Sequence, residues 1–302
     1  PTKLECIDLS ELNESMRKSE MKKIKRMESN RAFNLATESP IRLRLIIYGK
    51  DEAYLMLHLH HIVTDAWSTD ILFRDFSVYY SAIYNSNSGI LPALPVQYAD
   101  YAAWQKNFLI GDKLNQQLNY WLDYVHDVPF SLELICDRPR PLEQSSDGAL
   151  TLFCLPCDLS DKIRAFASQA KVNTFTIFMA AWQVLLKQKS GGQNKFLIGV
   201  PNANRHRIEV EELIGCFINT QVYKADFTRV KTLQELVQQI NKDAAKAQNY
   251  QELPFDMLVD KLNISRDAAR SPLFQTMFNF EATSVAVENK THTLAGINIE
   301  AV

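Results

Sequence analysis

Residues 57–68 read Leu57-His58-Leu59-His60-His61-Ile62-Val63-Thr64-Asp65-Ala66-Trp67-Ser68, and the change of periodicity within this stretch decides the fold. Upstream the alternation is strict. Ala53, Leu55, Leu57 and Leu59 fall on one face, and Tyr54, Met56, His58 and His60 on the other, which predicts a half-buried β-strand. Downstream, Ile71, Leu72, Phe76, Tyr79, Tyr80 and Ile83 recur near helical spacing and predict a helix over 65–82. His61 stands where the strand runs out and Asp65 where the helix begins. A histidine suits proton transfer near neutral pH, the free side chain having a pKa of about 6.5, and a neighbouring carboxylate can fix geometry around it.

Working outward, residues 1–35 read as a loop followed by a charged helix at about 14–28. Residues 42–48 alternate as a strand, and Gly49-Lys50-Asp51-Glu52 turns it into the histidine strand as a hairpin. A turn-rich loop over 85–95 precedes a helix opening at Tyr98 and another over 114–125. The stretch 127–148 is rich in Pro, Asp and Ser and marks a boundary. Beyond it, Leu150, Leu152 and Cys154 alternate as a strand. Ser160 and Thr174 are placed to cap helices, the second apolar almost all round and stopped by Gly191-Gly192. Residues 195–201 read as a buried strand, 213–221 as another, and 273–281 as a third. Thr232 and Glu235 form a capping-box signal for a helix over 233–248, and Pro254 opens one over 255–262.

The chain has 302 residues, of which 46% are hydrophobic, enough for one large core or two lobes. A formal net charge of −2 gives no electrostatic reason to expect nucleic acid or an anionic membrane as partner. No apolar run approaches the roughly 20 residues of a membrane span, and the polar N-terminus does not read as a secretory signal. Five scattered cysteines suit a reducing, cytoplasmic setting. The start on Pro1 and the strand-like close Ile297-Asn298-Ile299-Glu300-Ala301-Val302 read as a piece of a larger domain.

The histidine stretch, His-His-x-x-x-Asp followed by a small residue and Trp-Ser, resembles the core motif of the condensation domains of nonribosomal peptide synthetases. Those belong to a wider group of acyltransferases with a chloramphenicol-acetyltransferase-like fold. The family usually carries Gly where this chain has Ala66. Four further segments resemble family motifs in the family's order. They are Tyr98–Trp104, Ile214–Gln221, Asn249–Asp256 and, with Ala269 and Ser271 substituted, Arg266–Phe274. The resemblance implies an α/β fold (α+β, mixed sheets). Two chloramphenicol-acetyltransferase-like lobes would form a V, with the active site in the cleft or tunnel between them. Residues 1–138 would be the N-terminal lobe without its first part, 149–302 the C-terminal lobe without its last part, and 139–148 the crossing segment.

The implied function is amide-bond formation between a donor acyl or peptidyl thioester and an acceptor amino acid. No cofactor binds directly; the substrates ride on phosphopantetheine arms of upstream and downstream peptidyl carrier domains, next to an adenylation domain. The candidate catalytic side chains are His61, His60 and Asp65. His61 is the proton acceptor or positioner and His60 a support. Asp65 is either an acid or one half of a structural ion pair with Arg205. Ala66, Trp67, Ser68 and Asn219 would lie along the substrate tunnel. Related readings share the fold: an epimerisation domain, a fatty-acyl-accepting starter domain, or a non-catalytic docking domain. Trp67 preceding Ser68 favours condensation over epimerisation, and the retained histidine pair argues against mere docking.

The bland readings compete residue by residue. His61 can be a core histidine satisfied by a carbonyl, and Trp67 a core aromatic. His58, His60, His61 and Asp65 lack a matching Cys/His set at ligand spacing, so no metal is expected. Cys154-x-x-Cys157 has no partner pair, and no Gly-x-Ser-x-Gly elbow exists for a serine acyl-enzyme.

Overall fold

A computed structural model of the chain describes residues 3–145, 148–264, 267–281, 292–294 and 297–299. The first half builds a mixed sheet from β1 (Leu4–Asp8), β2 (Ile41–Ile47) and β3 (Ala53–Leu59). β1 runs parallel to β2, and β2 pairs antiparallel with β3 across the expected hairpin, with Leu43 opposite Leu57 and Ile46 opposite Tyr54. Helix α1 (Glu14–Asn30) is capped by Asn13, whose side chain accepts from the Met16 N–H. It lays Met21 and Ile24 against Ile46, Tyr54 and Met56. The covered face of β3 is thus the Tyr54/Met56 face, and Leu55 on the other is 41% exposed. A buried ion pair of 2.8 Å between Arg44 and Glu28 ties β2 to α1. β1 was expected to be loop: its five residues alternate too briefly, and only pairing with β2 makes them a strand.

Helices α2 (Ala66–Tyr84), α3 (Tyr98–Phe108) and α4 (Gly111–Val125) follow. The second half adds α5 (Cys157–Ala170), α6 (Thr174–Lys189), β4 (Lys195–Asn202), β5 (Asn219–Asp226), α7 (Leu233–Gln248) and α8 (Phe255–Leu262). The short β6 (His292–Leu294) and β7 (Ile297–Ile299) pair antiparallel. The antiparallel pair β4–β5 is the centre of the main core, with Phe196, Leu197, Ile198 and Val222 buried. Side chains of α4, α6, α7 and α8 pack around it. Leu118, Trp121, Val125 and Leu132 belong to this core, so the packing runs across the 139–148 segment.

Several local expectations are corrected. Residues 148–156 form no strand: alternation needs a partner, none pairs with them among the described residues, and Leu150, Leu152 and Phe153 are 80–83% exposed. α5 begins at Cys157 after Pro156, and the Ser160 hydroxyl donates back to the Pro156 carbonyl rather than capping. Asn173, not Thr174, caps α6, accepting from the Thr176 N–H. α6 is buried on one face only, through Met179, Ala180, Gln183 and Leu186, and Leu185 is exposed. In 273–281 only Met277 bridges to β4, through Gly199.

Gly199 explains the tightness at that bridge. A Cβ there would lie 2.6 Å from ring atoms of Phe274. Gly199→Ala is therefore expected to lose about 1–3 kcal/mol by overpacking, read as a lower denaturant midpoint at unchanged slope.

Candidate functional site

β3 ends at Leu59, and two caps within six residues then shape the chain. The Nδ1 of His60 accepts the Ile62 N–H at 3.0 Å and starts a single 3₁₀ turn over His61–Val63. Asp65 is the N-cap of α2, accepting the Ser68 N–H at 2.8 Å. Short polar side chains satisfy otherwise orphaned N–H groups at such starts. His61 is left exposed on the turn between the caps. It is not the sealed core histidine of the bland reading.

Asp65 is the opposite case. Its side chain and that of Arg205 are 4% and 1% exposed and pair at 3.1 Å. The Ser68 hydroxyl donates to Asp65 Oδ1 at 2.7 Å, and the Phe217 N–H to Oδ2 at 3.0 Å. Arg205 donates further to the carbonyls of Val210 and Leu213 at 2.8 and 2.7 Å and to Ser68 Oγ at 2.8 Å. Its guanidinium lies 4.0 Å over the Phe217 ring. Burial pushes the Asp65 carboxyl up, but the bonds from Ser68 and Phe217 and the Arg205 charge outweigh it, holding the group below its ordinary 3.8. Asp65 is enclosed and accepts from Ser68, Phe217 and Arg205. This is the geometry of an ion pair, and it joins the first half of the chain to the second.

The same network explains a strand boundary. Residues 213–218 were expected to belong to β5, which begins only at Asn219. The Gly215 N–H is taken by Ser68 Oγ at 3.0 Å and the Phe217 N–H by Asp65, so this backbone cannot join a ladder.

The remaining expected residues divide. Ala66 is the first residue of α2, exposed, and outside the left-handed region, so the backbone does not require glycine there. Trp67 is 47% exposed, and its indole N–H donates to the Glu211 carbonyl at 2.9 Å, which makes it a contact between the halves of the chain rather than core. Ser68, expected beside a substrate path, is fully buried between Asp65, Arg205 and Gly215. Asn219 borders a pocket, yet its amide is spent on the 251–255 loop, donating to the Leu253 carbonyl at 2.7 Å and accepting the Phe255 N–H at 3.1 Å. In the last motif Arg266 lies outside the described residues, while Arg270 donates to Glu133 at 2.6 and 3.2 Å.

Sequence reasoning missed Cys216 and Tyr98. Cys216 Sγ lies 3.6 Å from His61 Nδ1, and burial together with the Asp65 charge pushes its thiol up. The Tyr98 hydroxyl donates to the Cys216 carbonyl at 2.7 Å. The Tyr98 ring occupies the space a Cβ on Gly215 would need, with ring atoms 2.2 Å from it. A pocket of about 290 Å³ opens here between α3 and the 216–220 segment. Among the described residues, no group of three or more His, Cys, Asp or Glu side chains is gathered as metal ligands would be.

A mixed-sheet chain folded this way, with an exposed histidine beside a buried aspartate–arginine bridge, has the architecture of the condensation acyltransferases. The family model described as Condensation domain matches residues 1–301, and the chain belongs to that family. It is 36% identical over 254 residues to malpinin synthetase of Mortierella alpina, covering 84% of this chain and 3% of that protein, so it spans a small fraction of that relative's length. The fold is shared with a four-domain nonribosomal peptide synthetase solved with AMP and glycine, at a TM-score of 0.82 and 21% identity, covering 94% of this chain and 21% of that one. It is shared also with the X-domain from teicoplanin biosynthesis, at a TM-score of 0.80 and 22% identity, covering 92% and 61%. No helix among the described residues is long and apolar enough to cross a membrane.

Proposed function

We propose that the chain forms an amide bond between a donor acyl or peptidyl thioester and the amine of an acceptor amino acid, both tethered to phosphopantetheine arms of carrier domains. The observation that carries this is an exposed imidazole on a doubly capped turn, beside the bridge joining two halves of the chain. The acceptor nitrogen attacks the thioester carbonyl, a C–N bond forms, and the C–S bond breaks. His61 accepts the amine proton, which leaves with the departing thiolate. His60 holds the turn, and Asp65 with Arg205 holds the junction. Tethering two reactants in one cleft supplies most of the acceleration, by making the encounter effectively intramolecular. Residues 1–138 and 149–302 are proposed as parts of two lobes with 139–148 crossing between them and Leu118, Trp121, Val125 and Leu132 reaching over to pack on the second lobe's core, acting in the cytoplasm beside an adenylation domain.

The test loads both carriers of the complete synthetase and follows dipeptide formation for wild type and His61→Ala. Product at the wild-type rate from the variant would overturn the assignment.

A further inference from the structure

His61 stands on a surface turn, where an imidazole changes rotamer freely unless something holds it. A proton acceptor works only from a fixed place within hydrogen-bond reach of the proton it takes. The two caps of the turn do not supply this, because His60 and Asp65 take backbone N–H groups and leave the His61 ring alone. Among the described residues, the one hydrogen-bond partner of that ring is Cys216, whose sulfur lies 3.6 Å from Nδ1. Turned over, the ring would set a C–H against the sulfur and keep no partner, so Nδ1 on sulfur is the satisfied arrangement.

The sulfur is presented from a pinned backbone. Gly215, Cys216 and Phe217 are each held by a side chain from the first half of the chain. The Gly215 N–H donates to Ser68 Oγ at 3.0 Å, the Tyr98 hydroxyl donates to the Cys216 carbonyl at 2.7 Å, and the Phe217 N–H donates to Asp65 Oδ2 at 3.0 Å. Asp65 therefore fixes both sides of the contact. It caps the helix that follows the histidine turn, and it holds the segment that carries the thiol. Burial and the Asp65 charge push that thiol up, so near neutral pH it stays protonated and its sulfur is a neutral, weak acceptor. With the hydrogen on Nδ1 directed at sulfur, Nε2 is the nitrogen left to take a proton.

Resting on the condensation reading above, we propose that Cys216 is a positioning residue: its sulfur holds the Nδ1 edge of the His61 ring and leaves Nε2 turned to the amine of the acceptor. The bridge of Asp65 and Arg205 then serves the reaction by keeping the Cys216 segment and the histidine turn at a fixed separation.

The test uses the complete synthetase with both carriers loaded and compares Cys216→Val, Cys216→Ala and Cys216→Ser with wild type. Valine is close to the thiol in bulk but offers the ring no acceptor, whereas serine keeps one. In Cys216→Val and Cys216→Ala, kcat for dipeptide formation should fall about fivefold, in keeping with one net hydrogen bond, with KM for both loaded carriers unchanged. Cys216→Ser should recover most of that loss. The effect should run through the imidazole, so Cys216→Ala combined with His61→Ala should be no slower than His61→Ala alone. A Cys216→Val rate within about twofold of wild type overturns the inference, as does a serine variant as slow as the valine one, or losses that add in the double variant. A rate that depends on His61 but not on Cys216 overturns the positioning role alone, whereas a rate indifferent to His61→Ala overturns the condensation reading itself.

Discussion

Arg205→Ala is expected to destabilise the protein by about 3–5 kcal/mol, the range for removing one partner of a buried pair. The arginine holds more than its aspartate. Without it, the Val210 and Leu213 carbonyls and Ser68 Oγ lose a charged donor, and a carboxylate with 4% exposure loses its counter-charge. Arg205→Lys should recover less than half of the loss, since a single ammonium cannot span acceptors that the planar guanidinium reaches together. The effect has a pH signature. A carboxyl held below its ordinary 3.8 contributes stability that is present above about pH 4 and lost as pH falls through the lower folded value. Asp65→Asn should flatten that part of the acid limb, and Arg205→Ala should move it to higher pH. Urea unfolding at neutral pH and near pH 3 measures both. An Arg205→Ala variant within about 0.5 kcal/mol of wild type would remove the bridge from the account of how the halves are joined.

What could be read from the sequence was what is decided locally. The hairpin turn at 49–52, the Thr232–Glu235 capping box and the helix stop at Gly191-Gly192 are short-range devices, and each takes its expected form. The site was legible as a set of motifs in order, because the sequence keeps the histidine turn, Arg205 and the 214–221 segment recognisable. Their meeting was not visible to periodicity. Residues 213–218 have strand composition, but Asp65 and Ser68, about 150 positions upstream, take their N–H groups. The resemblance places Ser68 along the substrate tunnel, whereas helical geometry turns it inward beside its own cap. The alternation at 150–154 failed for the converse reason: a strand is a pairing, and no partner meets it among the described residues.

His61→Ala is expected to lower kcat for dipeptide formation by about 10²–10⁴, the usual contribution of a positioned acid–base group. A residual rate should persist, because bringing two tethered reactants together is independent of the imidazole. The structure makes this substitution clean. His61 is exposed, and its ring meets Cys216 at the pocket edge, so its loss opens no cavity in a core. The neighbouring histidine supplies the control. His60 is half-buried, with its Nδ1 bound to the Ile62 N–H and its ring edge-on to Phe33 at 5.7 Å. His60→Ala should therefore cost about 1 kcal/mol of stability, as lost caps do, with a smaller effect on rate. A kcat loss at His61 with unchanged KM for both loaded carriers marks an interaction made in the transition state. A matching rise in KM would mark His61 as a docking contact instead. A loss below about threefold would mean that approximation alone drives the step and that the imidazole is a bystander. Single-turnover measurements on pre-loaded carriers separate these outcomes, because they observe bond formation before product transfer can limit the rate.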